Sequence, residues 1–223
     1  MKDMHLRVAV KAAVLVGAAM VAAPVGANAQ SAGLSLAAEN CENAEAPIAQ
    51  SSVAATRAAL ACLIDETRRQ RGLSPLRYDD RLGRAARDHA VDMVRRDYFA
   101  HTSPGGSGVK DRLRRSGWPL GGDWWAGEIL VTGTGGASTP RRLLTAWLTS
   151  PPHRAVLLSA RAARIGIGVS RGTPGDDGGR HAGDGVTAAA ELGRLCPVDD
   201  RAAQEDPLST YDNTRRENAT CDD

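Results

Sequence analysis

Apolar positions recur at helical spacing along the first half of the chain and at strand spacing near its end. In "SVAATRAALACLIDETRRQRGL" Val53, Leu60, Leu63 and Ile64 fall on one side of a helix that Gly72 ends. "LSPL" is a turn around Pro75. A second helix follows in "DDRLGRAARDHAVDMVRRDYF", capped by Asp79 or Asp80. At 3.6 residues per turn, Leu82, Ala86, Ala90 and Met93 share its inner face, while Arg84, Arg87 and Arg95 point elsewhere. A short helix is predicted from Val109 to Ser116, stopped by Gly117. "STPRRLLTAWLTS" starts a longer one, with Ser138 or Thr139 as N-cap and Pro140 in the first turn. "PPHRAVLLS" adds a further helical turn. Strand signals come last, in "RIGIGVSRG" and more weakly in "GVTAAAELG". "GDWWAGEILVTG" reads as irregular. Helices first and strands last predict an α+β domain with helices packed on a small antiparallel sheet.

Both ends differ from this middle. Lys2, Arg7 and Lys11 precede a small apolar run, Ala12 to Val25, and "ANA" (27–29) offers a signal-peptidase site. Residues 1–29 therefore read as an export leader, too short in its apolar part for a membrane span of roughly 20 residues. No other stretch is long and apolar enough for an anchor. Residues 30–57 read as a polar linker held by Cys41 and the start of the first helix, 58–193 as the domain, and 194–223 as an acidic, largely irregular tail. "TPGDDGGRHAGDG" is a glycine-rich loop that carries His181.

Charge excludes one class of partner. The chain has 28 Lys and Arg against 26 Asp and Glu, and the leader takes three of the basic residues and one of the acidic. The remainder is balanced, its arginines scattered, with no run that would track a nucleic-acid backbone. Four cysteines, Cys41, Cys62, Cys196 and Cys221, lack the close C-x-x-C spacing of a zinc site and in an exported chain point to disulfides. Of three possible connectivities, the local pairs Cys41–Cys62 and Cys196–Cys221 close short loops near the ends of the chain. Their reduction is expected to loosen the termini more than the rest of the domain, its cleft included, since the core helices carry the hydrophobic burial.

The chemistry-bearing residues are few. His101, in "FAHTSPGG", lies between a helix end and a turn, where it could be a ligand, a proton carrier or a solvated loop residue. His89 lies beside the apolar face of its helix and is given no role. Ser150, three residues before His153, has no G-x-S-x-G elbow and no oxyanion loop with it, and its place before two prolines suits a helix cap. Trp124 and Trp125, being adjacent, point in different directions, and Trp147 suits a core position.

Taken together, "CLIDETRRQRGLSPLRYDDRLGRAARDHAVDM", "YFAHTSPGG", "AGEIL", "AWLTSPPHR" and "RIGIGV" resemble, in order, bacterial members of the CAP superfamily, the cysteine-rich secretory, antigen 5 and pathogenesis-related proteins, whose domain is also called SCP-like. The resemblance runs from about Ala58 to Gly193. It implies a three-layer α-β-α sandwich and a cleft lined by His101, Glu128 and His153. At the position of the second cleft glutamate found in animal and plant members this chain has Ser150. Ile129 and Val156 stand where asparagine is usual, and Leu192 where phenylalanine is.

Two imidazoles and a carboxylate are ligands that a divalent ion such as zinc accepts, with a fourth position left for water. Such binding would weaken as pH falls through roughly 6.5, because a protonated imidazole cannot ligate. The other role open to Glu128 is to accept hydrogen bonds from the histidines or nearby backbone and stiffen the cleft. Two functions follow. One is an exported, non-enzymatic binding module with no required cofactor, whose cleft (His101, Glu128, His153, Ser150) receives a small molecule, lipid, wall polymer or protein. The other is an extracellular hydrolase that depends on a divalent metal.

Overall fold

The structure, a computed structural model, describes residues 41–175 and 183–196 together with the backbone of Leu6–Arg7. Its strands are β1 (Leu6–Arg7), β2 (Arg77–Tyr78), β3 (Asp123–Thr134), β4 (Arg164–Arg171) and β5 (Gly185–Cys196). Its helices are α1 (Val53–Arg69), α2 (Asp80–Arg95), α3 (Val109–Arg115), α4 (Pro140–Thr149) and α5 (Pro151–Leu157), with 3-10 turns at Ile48–Gln50 and Gly135–Ser138. The sheet order is β1-β3-β5-β4-β2. The three long strands are antiparallel neighbours, and β2 adds a two-residue parallel pairing to β4. Leu6 and Arg7, within the expected leader, pair with Gly133 and Thr132 at the outer edge of β3.

Register explains the layers. Ile129 and Val131 of β3 lie across from Ala190 and Ala188 of β5, which in turn face Ile167 and Val169 of β4. With Leu60, Leu63, Ile64, Leu143 and Trp147 these residues build the larger core, between the sheet and α1, α4 and α5. The alternate positions look the other way. Leu130 and Ala189 meet Ala86, Ala90 and Met93 of α2, and Leu82 joins Leu113 and Trp118. Gly166 and Gly168 of β4 sit on this second face. A Cβ at either would come within 2.0 or 2.1 Å of the α2 backbone, so these glycines let α2 lie directly on the strand. The result is the expected α+β sandwich of three layers, α-β-α.

Helix signals read from the sequence are realised closely. The Asp79 carboxylate caps α2 by accepting from the amides of Arg81 and Leu82, and the Thr139 hydroxyl accepts from Arg142 at the start of α4. Gly72 and Gly117, after α1 and α3, have φ of 70° and 79°. Trp147 is fully buried in the larger core, and Trp124 and Trp125 pack against opposite cores.

Two segments differ from expectation. "GDWWAGEILVTG" is not irregular but forms most of β3. Its alternation is hidden because helices cover both faces of the sheet, so successive residues are apolar. Residues 41–50 are also more than a linker. Ile48 is fully buried, Ala44 nearly so, and the Ile48 amide donates to the Ser138 hydroxyl. Buried Arg68 of α1 supports the far side, donating to the carbonyls of Ser74, Leu157, Ser159 and Ala162.

The Cys41–Cys62 disulfide is present and ties residues 41–50 to α1. The partner pairing, Cys196 with Cys221, lies outside the described residues, as do residues 197–223, His181 and nearly all of the expected leader; residues 194–196, expected in the irregular tail, instead complete β5 by pairing with β3. The Cys41–Cys62 bridge spans a sequence separation of 21. Replacing both cysteines with serine is expected to lower the unfolding free energy by about 3 kcal/mol. Urea denaturation checks this, and an unchanged midpoint would contradict it.

Candidate functional site

The site is organised by Glu128, on the α2 face of β3, with its side chain 1% exposed. Buried Arg112 of α3 donates from Nη2 to Glu128 Oε2 at 2.6 Å and to the His101 carbonyl at 2.8 Å. His101 Nδ1 lies 2.6 Å from Glu128 Oε1. One arginine therefore fixes both the carboxylate and the loop that brings the histidine to it. The preceding carbonyl, Ala100, accepts from His89 Nε2 at 3.0 Å. Within the loop, Gly106 at φ 83° closes a turn onto the Ser103 carbonyl. The tie of two consecutive carbonyls is why His101, although its side chain is 48% exposed, has a set orientation.

Electrostatics define the protonation states. Burial pushes Glu128 upward, but the His101 hydrogen bond, the bond with Glu191 and the charge of Arg112 outweigh it and hold the carboxyl below its ordinary range. Ionised Glu128 only accepts, so His101 Nδ1 carries the hydrogen and, in the neutral ring, Nε2 keeps its lone pair. Glu191 lies directly across from Glu128 in the β3–β5 ladder and is fully buried. Burial first, and then the Glu128 charge, raise Glu191 well above the usual carboxylate range. As an ionised group it would meet no hydrogen-bond donor among the described residues; protonated, it donates to Glu128. Burial likewise lowers His89, whose Nε2 is 3.8 Å from Glu128 Oε2, and keeps it neutral. The cluster thus holds one buried ion pair, Glu128 with Arg112, beside a protonated Glu191 and a neutral His89.

His153, on α5, approaches from the opposite helical layer. A Cβ at Gly127 would stand 2.7 Å from Val156 Cγ1, so this glycine admits α5 against β3. Burial and the neighbouring His101 charge lower the His153 imidazole, and its Nδ1 has no hydrogen-bond partner among the described residues. Ser150 does precede α5 as N-cap, but its hydroxyl makes no capping bond, contrary to expectation, and is buried without a partner among the described residues. Ile129, at the usual asparagine position, points into the larger core and adds no donor to the cleft.

The donor set fits an anchored histidine better than a divalent ion. Glu128 has both oxygens engaged, and the Arg112 cation lies beside Oε2. Among the described residues no three His, Cys, Asp or Glu side chains converge as a metal requires.

Three members of the cluster are not among the cleft residues expected from the sequence, which places His89 beside the apolar face of its helix without a role. His89 is i+3 from Ala86 and i−4 from Met93, on the same stripe of α2, which marks it as inward-facing. Glu191 is a lone carboxyl at an inward position of an apolar strand, a signal that period-2 reading can find. Arg112 had no signal, being one arginine among many.

Residues 63–183 match the cysteine-rich secretory protein family, CAP, and the chain belongs to it. It is 32% identical over 120 residues to the uncharacterized protein YkwD of Bacillus subtilis strain 168, covering 54% of this chain and 44% of that one. To YlbC, an uncharacterized membrane protein of the same organism, it is 28% identical over 116 residues, 49% of this chain and 30% of the relative. The chain thus spans less than half the length of either. An extracellular SCP-domain protein of Bacillus anthracis aligns with a TM-score of 0.48 at 26% identity, covering 60% of this chain and 38% of that chain. An outer surface protein of Borrelia burgdorferi aligns with a TM-score of 0.48 at 23% identity, over 60% and 88%.

Proposed function

We propose that this CAP protein is an exported, extracytoplasmic binding module whose cleft presents the Nε2 edge of His101 beside His153. The leader pattern of residues 1–29 supports export, and among the described residues no helix is long and apolar enough to cross a membrane. The observation that carries the reading is the engagement of both Glu128 oxygens by Arg112 and His101. A carboxylate so held orients its histidine and is not free as a metal ligand or proton carrier. The half-exposed ring it orients presents Nε2 as a fixed acceptor for a ligand's donor.

Nitrogen-15 NMR of the histidines, with and without zinc, tests this. The expected result is an Nδ1-protonated His101 whose signals zinc leaves unchanged near pH 7. Zinc-dependent shifts at His101 and His153, absent in His101→Ala and accompanied by zinc-dependent turnover of an extracellular substrate, would replace the binding module with the metal-dependent hydrolase.

A further inference from the structure

The floor of the His101 cleft is the outer edge of β3, and most of this edge carries no strand among the described residues. The β3–β5 ladder continues past Thr134, where the Gly135 amide donates to the Asp184 carbonyl. In an antiparallel ladder the bonded pairs recur at every second residue. The main-chain N–H and C=O groups of Val131, Ile129 and Gly127 therefore turn toward β5, and those of Thr132, Leu130, Glu128 and Ala126 turn away from it. On that outer side Arg7 stands opposite Thr132, whereas Leu130, Glu128 and Ala126 face no strand among the described residues. Glu128 is 9% exposed as a residue but only 1% in its side chain, so what solvent reaches is its main chain.

Two walls turn this edge into a slot. On the α2 face the half-exposed ring of His101 stands on the Glu128 carboxylate. On the other face α5 lies against Gly127 through Val156. His153 Nδ1 on α5 and Ser150 Oγ at its start are buried without a partner among the described residues. An edge held between two walls admits one extended chain and excludes the sheet edge of a second folded copy.

We infer, resting on the binding-module reading above, that the cleft takes an extended polypeptide segment as an added antiparallel strand on β3, with a donor-bearing side chain such as lysine, serine or threonine opposite Glu128. Leu6 and Arg7 show the mode, since they pair antiparallel with Gly133 and Thr132 of this same edge. Main-chain hydrogen bonds supply the affinity, and successive side chains alternate between the two walls. Directly opposed residues share a face, so the side chain across from Glu128 meets His101 Nε2, the acceptor that the neutral ring presents. The residues before and after it turn toward the α5 wall. An apolar lipid chain would leave the amides and carbonyls of the edge unpaired.

The probe is a synthetic peptide of residues Leu6 to Ala13, acetylated and amidated at its ends, because the register of Leu6 and Arg7 carried on sets its Lys11 opposite Glu128. Calorimetric titration into the exported protein at pH 8 is expected to give saturable binding at millimolar peptide or below. N-methylation at Lys11, whose amide faces the Glu128 carbonyl, is expected to weaken binding about tenfold or more, and N-methylation at Ala12, whose amide faces away, to leave it within about twofold. Lys11→Met in the peptide and His101→Ala in the protein are each expected to weaken binding about threefold or more, and by no more when combined. Absence of saturable binding, equal losses from the two N-methyl groups, or Lys11→Met binding as the unmodified peptide does would each overturn the proposal. Sedimentation that finds a dimer dissolved by the peptide would assign the edge to a second copy instead. The nitrogen-15 signals of the free protein decide the orientation of His101 independently of any peptide, so the binding-module reading and the added strand fail separately.

Discussion

Replacing Arg112 with methionine is expected to lower the unfolding free energy at pH 7 by about 3–5 kcal/mol, the range for stranding one partner of a buried ion pair. Methionine keeps much of the volume, so a cavity is not the main effect. Glu128 would be left charged and buried, having lost its cation at 2.6 Å, and the His101 carbonyl would lose its donor. Acidification provides an internal check. Without Arg112 the burial of Glu128 is less opposed, so its folded pKa rises, and the variant regains relative stability as pH falls through that value. Adding Glu128→Gln to Arg112→Met is expected to recover part of the loss, giving a coupling that a double-mutant cycle reads. Arg112→Lys is not a conservative control, because Nη2 bonds Glu128 and the His101 carbonyl while Nη1 bonds the Ser107 carbonyl, and one ammonium cannot reproduce that planar set. Urea unfolding of the four proteins measures all of this. A loss below about 1 kcal/mol in Arg112→Met would mean that the pair contributes no more than an exposed one.

Why the helices were legible and the site was only partly so follows from particular residues. Leu82, Ala86, Ala90 and Met93 are all fully buried on the stripe their spacing predicted, because α2 has one wet face and one dry face. β3 has two dry faces. Ile129 and Leu130 enter different cores, so adjacent apolar residues erase the alternation by which a strand is recognised. His101, Glu128 and His153 became candidates through family resemblance, since they lie on a loop, a strand and a helix with no fixed spacing. The structure brings His101 and Glu128 into direct contact and sets His153 close enough for its imidazole to feel the His101 charge. The contribution of Arg112 was illegible for a physical reason. Its partners, Glu128 and the His101 carbonyl, come from distant segments, and nothing local distinguishes a buried guanidinium from the solvated ones around it. Glu191 left a trace, a charge inside "AAAELG", but its meaning depends on register. A one-residue slip of β5 would remove Glu191 from Glu128 and place it in the larger core.

That register leads to the second large expected effect, on the pH dependence of stability. Glu191→Gln is expected to become more stable relative to the wild type as pH rises above about 4.3, the ordinary glutamate value, with the gap widening by about 1.4 kcal/mol per pH unit. Glu191 is held protonated in the folded chain by burial and by the adjacent Glu128 charge. The unfolded chain releases that proton at the ordinary value. In this window the unfolded state binds fewer protons than the folded state, so the wild type loses stability with rising pH. The loss is complete, and the gap levels off, once pH passes the folded value of Glu191. Glutamine is a neutral analogue of the protonated acid and still donates to Glu128, which removes the titration while keeping the hydrogen bond. Its second N–H adds an offset that does not vary with pH, so the slope and not the absolute stability is the test. His89 and His153 work in the opposite sense. Their folded values are lowered, so their contribution is present above about 6.5 and is lost as pH falls. Both proteins contain these histidines, and subtracting their stabilities isolates Glu191. Urea unfolding at intervals from pH 4 to 8 gives the two profiles. Parallel curves would show that Glu191 titrates normally in the fold, and the shared proton between β3 and β5 would have to be abandoned.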